Sequence, residues 1–451
     1  MLFDDLPEYP MTGFFRLRFS ACLNVSALNA AIQMTLERHP LIRSKVVRDA
    51  GNRLCWELTD TCSVTLERWS ADLQGEYPAA GYVDLTQSAG TRIWLVDRNG
   101  AHDLVFQIHH ACTDALGMCQ LIDDLLIFYA RNVAGGQGDA HLRSLNNQRL
   151  AIRNRFGLTW RQWLQLFPKQ LLGLHVVGKF FVRKAWALRL PAVDAPTAET
   201  ATFPAVCSFE FSSPDTARIL SEAKHRKASV NDLIARDLFV AIQEWRSRYG
   251  VGTQYDWIRF FVPINERTAE HEALSAANIM SAVFLERQPR QMTDPETLLR
   301  SVQAEMQAIR NAKLGFLFIA AHTLLRRFTR LRDFVIRRPT CLSSCVFSNL
   351  GVILNGSPLP RKDGRISIDN VLLDGVEFFA PLRPLTHVTV CVSTYGGRLS
   401  LNLHFDPCAM TKSQAEELLE GAVGHLCGSL RSDLPVETVD GQMHRRLTRI
   451  K

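Results

Sequence analysis

Residues 103–129, DLVFQIHHACTDALGMCQLIDDLLIFY, change their hydrophobic period within a few positions, and this constrains the fold more than any other stretch. Along LVFQIHH side chains alternate, so Leu104, Phe106, Ile108 and His110 share one face while Val105, Gln107 and His109 share the other. From Met118 through Leu121, Ile122, Leu125, Leu126 and Tyr129 the spacing is helical, with Thr113 or Asp114 placed to cap the N-terminus. A strand therefore enters a helix through a short turn. Such a turn holds polar groups between two rigid elements and faces them with unpaired helix N–H groups.

The same reading continues along the chain. Leu28, Ala31, Ile32, Thr35 and Leu36 predict a helix from Ser26, its expected cap, to His39, ended by Pro40. LIRSKVV and RLCWEL read as strands, and RIWLVD forms a hairpin with LVFQIHH around Asn99 and Gly100. Residues 190–205, rich in Pro, Ala and Thr, read as a linker. Beyond it, VCSFEFS, WIRFFVPINER and TCLSSCVFSNLG read as strands, and HVTVCVSTYGGRLSLNLHFD reads as a hairpin around Gly396 and Gly397. Helices are expected from about Pro214 and over SVNDLIARDLFVAIQEW. Both halves mix strands with helices, so the expected class is mixed α/β in two lobes, 1–195 and 196–451.

Taken alone, the histidine cluster leaves several chemistries open. Adjacent strand residues point to opposite faces and cannot easily chelate one ion, and no metal-ligand spacing stands nearby, so a metal site is disfavoured. Cys112 as a nucleophile would need His110, two residues away, as its base, and a base so close in sequence is rarely well aimed. The remaining reading, favoured for a lone histidine, is that these groups satisfy a buried turn. Eleven scattered cysteines with no C-x-x-C pair argue against a disulfide framework or a zinc ribbon. Cys341 and Cys345 are expected to be packing residues on one strand.

Several ordered stretches together change the balance. HHACTDA resembles the H-H-x-x-x-D-G signature of the condensation-domain and wax-ester-synthase-like acyltransferase superfamily. LERHPLIRSKV (36–46), SVNDLIARDL (229–238), FVPINER (261–267) and VFSNLGV (346–352) are similar to further family segments in the same order, so the likeness spans nearly the whole chain. The resemblance implies two chloramphenicol-acetyltransferase-like lobes, each a mixed sheet covered by helices, with an active-site channel between them. It makes His110 the general base and Asp114 a brace paired with an arginine, with Arg267 the better match and Arg43 second. It places Ser348, Asn349 and Gly117 at the site, as substrate or oxyanion contacts, and His109 as a support from the opposite face. Asn231 and Asp232 are expected to cap or brace a helix. Ala115 departs from the family, whose motif ends in glycine; the extra methyl narrows the thioester side, and Gly117 is expected to restore backbone freedom.

The implied reaction is acyl transfer to a hydroxyl acceptor from acyl-CoA or an acyl-carrier protein, a pantetheine-linked substrate, with no bound cofactor and no metal. An amide-forming condensation enzyme and a catalytically silent scaffold are the alternatives. The formal net charge of +7 is uneven: residues 151–190 hold eight Lys or Arg and no acid, and 310–338 add eight more against Asp333 alone. This local excess suggests a peripheral membrane contact or an acidic carrier protein rather than nucleic acid. The acidic, proline-interrupted MLFDDLPEYP lacks the pattern of a signal or transit peptide, so a cytoplasmic monomer is expected.

Overall fold

A computed structural model describes residues 4–58, 64–71, 77–135, 140–153, 160–190, 204–320 and 340–428, with Leu2 and Phe328. The first lobe is built on a seven-stranded sheet in the order β11-β12-β13-β1-β6-β5-β4. Its strands are β1 (Thr12–Phe19), β4 (Leu66–Ser70), β5 (Thr91–Arg98), β6 (Ala101–His109), β11 (Arg361–Lys362), β12 (Arg365–Ile368) and β13 (Val371–Phe379). A two-stranded ribbon, β2 (Ser44–Arg48) and β3 (Leu54–Leu58), lies apart from it. Helices α1 (Val25–Arg38) and α2 (Ala115–Val133) contribute Leu28, Ile32, Leu36, Leu121, Ile122 and Leu125 to the same core as Leu17, Leu95 and Phe106 of the sheet. The expected apolar face of α1 is the buried one, but its cap is Asn24, whose side chain accepts from the Ala27 N–H, and not Ser26. Residues 40–43 form a 3-10 turn, so the strand expected from Leu41 begins at Ser44.

The second lobe carries a six-stranded sheet in the order β7-β15-β14-β10-β8-β9. These strands are β7 (Val206–Glu210), β8 (Ile258–Asn265), β9 (Met280–Arg287), β10 (Cys345–Val352), β14 (Val388–Tyr395) and β15 (Arg398–Phe405). A helix α3 (Trp160–Val182) precedes it in the chain. Helices α4 (Ser213–His225), α5 (Val230–Arg248), α6 (Pro295–Ala312) and α7 (Lys412–Gly428) share its core. Phe239 of α5 stacks on Phe260 of β8 with ring centroids 3.8 Å apart. Ser229 caps α5, and Asp232 completes a capping box by accepting from the Ser229 N–H. The hairpin between β14 and β15 turns on Gly396 and Gly397, both at positive φ, a conformation glycine adopts without steric cost. Cys341 precedes β10, while Cys345 opens it and is buried, so the two do not share a strand.

The lobe boundary expected at 195/196, and most of the linker, fall at 191–203, outside the described residues. Further on, the chain crosses back. After β10 it returns to the first sheet, where β13 pairs antiparallel with β1 (Phe15↔Phe378), before β14 and β15 rejoin the second. The end of this crossing is stitched to the second sheet. Ala380 donates its N–H to the Cys391 sulfur (3.2 Å), and its carbonyl accepts from His404 Nδ1 (2.9 Å). Beside it Arg18 of β1 and Arg398 of β15 both reach Glu210 of β7.

Truncating Phe260, which is fully buried under the Phe239 ring, is expected to cost the second lobe about 3–5 kcal/mol. Leu220→Ala, at a half-exposed position of α4, is expected to stay within about 0.5 kcal/mol of the parent. Urea unfolding of both variants checks the contrast; equal midpoints would mean that the stacked pair is not a packing centre.

Candidate active site

The strand β6 ends at His109, and the alternation read from the sequence separates the two histidines. His109 is fully buried. Its Nδ1 accepts from the Ala111 N–H (3.1 Å), so the ring proton is on Nε2 and is donated to Asp5 (3.1 Å). Burial pushes the Asp5 carboxyl up, but hydrogen bonds from His109, the Met11 N–H and the Tyr82 hydroxyl outweigh it and hold the group below its ordinary value. His109 is thus a bracket for the turn. His110, whose N–H donates to the Met11 carbonyl (2.7 Å), instead lines a cavity of about 270 Å³. Burial lowers the pKa of its ring, against weaker opposing effects from its own main-chain carbonyl and from Asp114, so the neutral imidazole prevails at pH 7.

The cavity lies between the lobes. Its walls come from β1 and β13 of the first sheet (Phe15, Phe378) and from β8 and β10 of the second (Phe261, Val346), and they are mostly apolar. Ser348 and Asn349 line it from β10, as expected. Asn349 Oδ1 also accepts from the Gly351 N–H (2.7 Å), where the register of that strand shifts between Asn349 and Val352.

Asp114 is the hub of the turn. Its carboxylate caps α2 by accepting from the Gly117 N–H (2.9 Å), and it accepts from the Ile279 N–H (2.8 Å) across the lobes. Arg267, just beyond β8, reaches both of its oxygens through Nη2 (2.6 and 2.8 Å). Arg43 is not among its partners; it ends the 3-10 turn at 40–43. One expectation about the following residues is corrected. Gly117 does not line the cavity, and its N–H is taken by Asp114, so it offers no donor to a substrate. What its missing side chain provides is room: a Cβ there would lie 2.3 Å from Thr113 Oγ1 and 3.0 Å from the Ala277 carbonyl. Ala115 opens α2 in helical conformation, so alanine fits without backbone strain and only its methyl group bears on the cavity. First-turn N–H groups have no intrahelical acceptor, which makes Ala115 and Leu116, both on the cavity wall, candidate oxyanion donors.

Sequence reasoning missed the segment that completes the site, residues 273–279 ahead of β9. Asn146 N–H donates to the Ala273 carbonyl (2.7 Å) and Gln120 Nε2 to the Leu274 carbonyl (2.6 Å). The Ala276 N–H donates to His39 Nδ1 (2.9 Å), and the opposite nitrogen of that ring donates to Asp124 (3.0 Å), which also accepts from Arg38 Nε (2.6 Å). Asn278 then places Nδ2 2.6 Å from the His110 carbonyl and 3.2 Å from His110 Nδ1. The small residues of SAAN give no periodic signal; only a lone Asn ahead of an apolar strand hinted at a role.

Cys112 is fully buried, and burial pushes its thiol far up, which removes the thiolate that a nucleophile needs. Among the described residues no group of three His, Cys, Asp or Glu could hold a metal ion.

No protein-family model matches the chain, and no curated protein matches it in sequence. Solved structures do match in fold. The first condensation domain of the CDA synthetase aligns with TM-score 0.67 at 14% identity, over 97% of this chain and 94% of that one. The starter condensation domain of rhizomide synthetase, solved as a mutant with C8-CoA and Leu-SNAC, gives 0.65 at 12% identity over 97% and 93%. Polyketide synthase associated protein 5 from Mycobacterium tuberculosis gives 0.59 at 15% identity over 93% and 94%. The architecture is therefore that of condensation domains, two lobes of the chloramphenicol-acetyltransferase-like type.

Asp114→Ala leaves Arg267 facing a site it can no longer pair with, at an expected cost of about 3–5 kcal/mol in thermal unfolding. Gly117→Ala, which drives a methyl group into Thr113 and Ala277, is expected to cost about 1–3 kcal/mol. An unchanged melting temperature for both would mean that the turn is not clamped between the lobes.

Proposed function

We propose that this chain transfers an acyl group from a pantetheine thioester to a hydroxyl acceptor, with His110 as general base. The observation that carries the reading is the placement of His110: on the wall of an apolar inter-lobe cavity, its turn locked by the Asp114–Arg267 pair. With Nδ1 turned toward Asn278 and the main chain, Nε2 occupies the opposite edge of the ring. As the acceptor oxygen attacks the thioester carbon, its proton passes to Nε2, in the tautomer whose Nδ1–H is donated to the His110 carbonyl. The first-turn N–H groups of Ala115 and Leu116 receive the developing oxyanion, helped by Ser348 and Asn349 from the other lobe. The C–S bond then breaks, and the departing thiolate takes the proton back from the imidazolium. A thioester donor is supported by the condensation-domain fold and by the CoA and thioester ligands of the rhizomide domain. Acyl-CoA and an acyl-carrier protein both present that arm, and the apolar walls suit an acyl chain.

The basic helix α3 suits a peripheral contact with an anionic lipid surface. Trp160, Leu164, Phe181 and Val182 are exposed on it, 61–83% accessible, close to Arg161, Lys179 and Lys184. The second basic segment lies largely at 321–327 and 329–339, outside the described residues. No helix among the described residues is long and apolar enough to cross a membrane.

Thiol release from a panel of acyl-CoAs and acyl-carrier proteins, with and without alcohols and amines, tests the reaction. Ester formation is expected. His110→Ala should fold normally and lose about 10²- to 10⁴-fold in rate. Amide formation alone would replace the acceptor assignment, and full activity in His110→Ala would overturn the base. Because the base must be neutral and its pKa is lowered, activity should persist below the ordinary histidine value of about 6.5 before the acid limb falls. Salt-sensitive flotation with phosphatidylglycerol vesicles is expected to weaken on Trp160→Ser with Phe181→Ser; flotation unaffected by the pair would remove the lipid contact.

A further inference from the structure

The second lobe does more than close the cavity over His110; it reaches around the ring through a single side chain. Asn278 Oδ1 accepts from the Met280 N–H (3.1 Å), which turns the amide nitrogen toward His110. One amide hydrogen goes to the His110 carbonyl (2.6 Å), and the nitrogen stands 3.2 Å from His110 Nδ1. The segment carrying it cannot easily drift, because Asn146, Gln120, His39, Arg267 and Asp114 each bond its main chain between Ala273 and Ile279.

We infer that Asn278 is a positioning residue for His110: its amide hydrogens hold the ring from the second lobe and disfavour the imidazolium. The inference rests on the general-base reading of His110. Its sign does not depend on the tautomer. If Nδ1 carries a lone pair, Asn278 donates to it and protonation there breaks the bond; Nε2 then holds the ring proton, and the ring must change tautomer before Nε2 acts as base. If Nδ1 carries the proton and turns to its own carbonyl, Asn278 competes for the same oxygen and weakens the contact that would stabilise a charged ring. The amide therefore acts in the same direction as burial and against Asp114, the nearby anion. The other charged groups around the ring are in place already. Arg267 pairs with Asp114 from the second lobe, His109 with Asp5 lies behind the strand, and Arg383 with Asp4 sits further along the cavity wall. Asn278 thus ties the protonation state of the base to the docking of the two lobes.

The test follows the His110 ring by heteronuclear NMR titration of the full chain, alongside the pH–rate profile for thiol release. In Asn278→Asp the carboxylate replaces the amide donor, and the His110 titration should move up by about one pH unit or more. The rate at pH 6 should then fall by about twofold or more, recovering to the parent rate at pH 8.5, where the ring is neutral again. Asn278→Leu, which keeps the volume and removes the hydrogen bonds, should move the titration up by less and lower kcat more than it raises KM. If both variants fold with the parent titration and the parent profile, the inference is overturned. If the titration moves while neither parent nor variant shows His110-dependent transfer, the ring contact stands and the acyltransfer reading fails.

Discussion

The ion pair between Asp114 and Arg267 is the interaction on which the rest of the site depends. It joins a helix cap in the first lobe to the end of a strand in the second, more than 150 positions away in the chain. Each carboxylate oxygen also accepts a main-chain N–H, one from Gly117 within the cap and one from Ile279 across the lobes. A charge this deeply buried is tolerable only when its lone pairs are so occupied, and the occupation in turn fixes the direction in which the turn leaves β6. His110 owes its place on the cavity wall to that direction. Gly117 belongs to the same device, since only a residue without a side chain lets Ala277 approach closely enough for Ile279 to reach the carboxylate.

The lobes are also joined by the chain itself. By returning to the first sheet as β11, β12 and β13 and leaving again through Ala380, the second half contributes three strands to the first lobe's sheet. Phe378 and Phe379, at the end of β13, then stand on the cavity wall. The walls are apolar because they are extensions of two hydrophobic sheets, and the few polar groups on them arrive from turns and strand ends. That division suits an acyl chain lying along the sheets with its reacting carbon held at the turn. It also explains the clamping of residues 273–279, where any slack would be passed directly to the ring of His110.

Much of this was legible in the chain. Strict alternation over 104–110 separated the histidines, and the helical spacing after Asp114 located the cap, because both patterns are local consequences of backbone geometry. The hairpin at Gly396 and Gly397, the bracing of a helix start by Asp232 and the buried face of α1 were readable for the same reason, although the cap itself is Ser229. The likeness of HHACTDA and PINER to family segments brought Asp114 and Arg267 together on paper before any distance was known. Other features were not legible. Strand β1, the centre of the first sheet, lies in a region where apolar residues and arginines alternate irregularly; Arg16 is buried only because Asp103 and Glu377 neutralise it from neighbouring strands, and half-buried Arg18 also reaches Glu377. The roles expected of Gly117 were backbone freedom and a substrate or oxyanion contact, whereas its contribution in the structure is space for a distant loop.

Local periodicity and cap chemistry were thus enough to establish the mixed α/β class and the strand-to-helix turn, while the likeness of HHACTDA to family segments singled out His110. Pairings that depend on distant parts of the chain were not legible: Asn278 with the His110 ring, His39 with Ala276, and β13 with β1. The physical reason is the range of the forces involved. Backbone sterics and side-chain spacing act within a few residues and leave a trace in the sequence, while a hydrogen bond to a buried carboxylate or ring is selected by desolvation. That selection exists only once the two lobes have closed and excluded the water that would otherwise satisfy every partner equally.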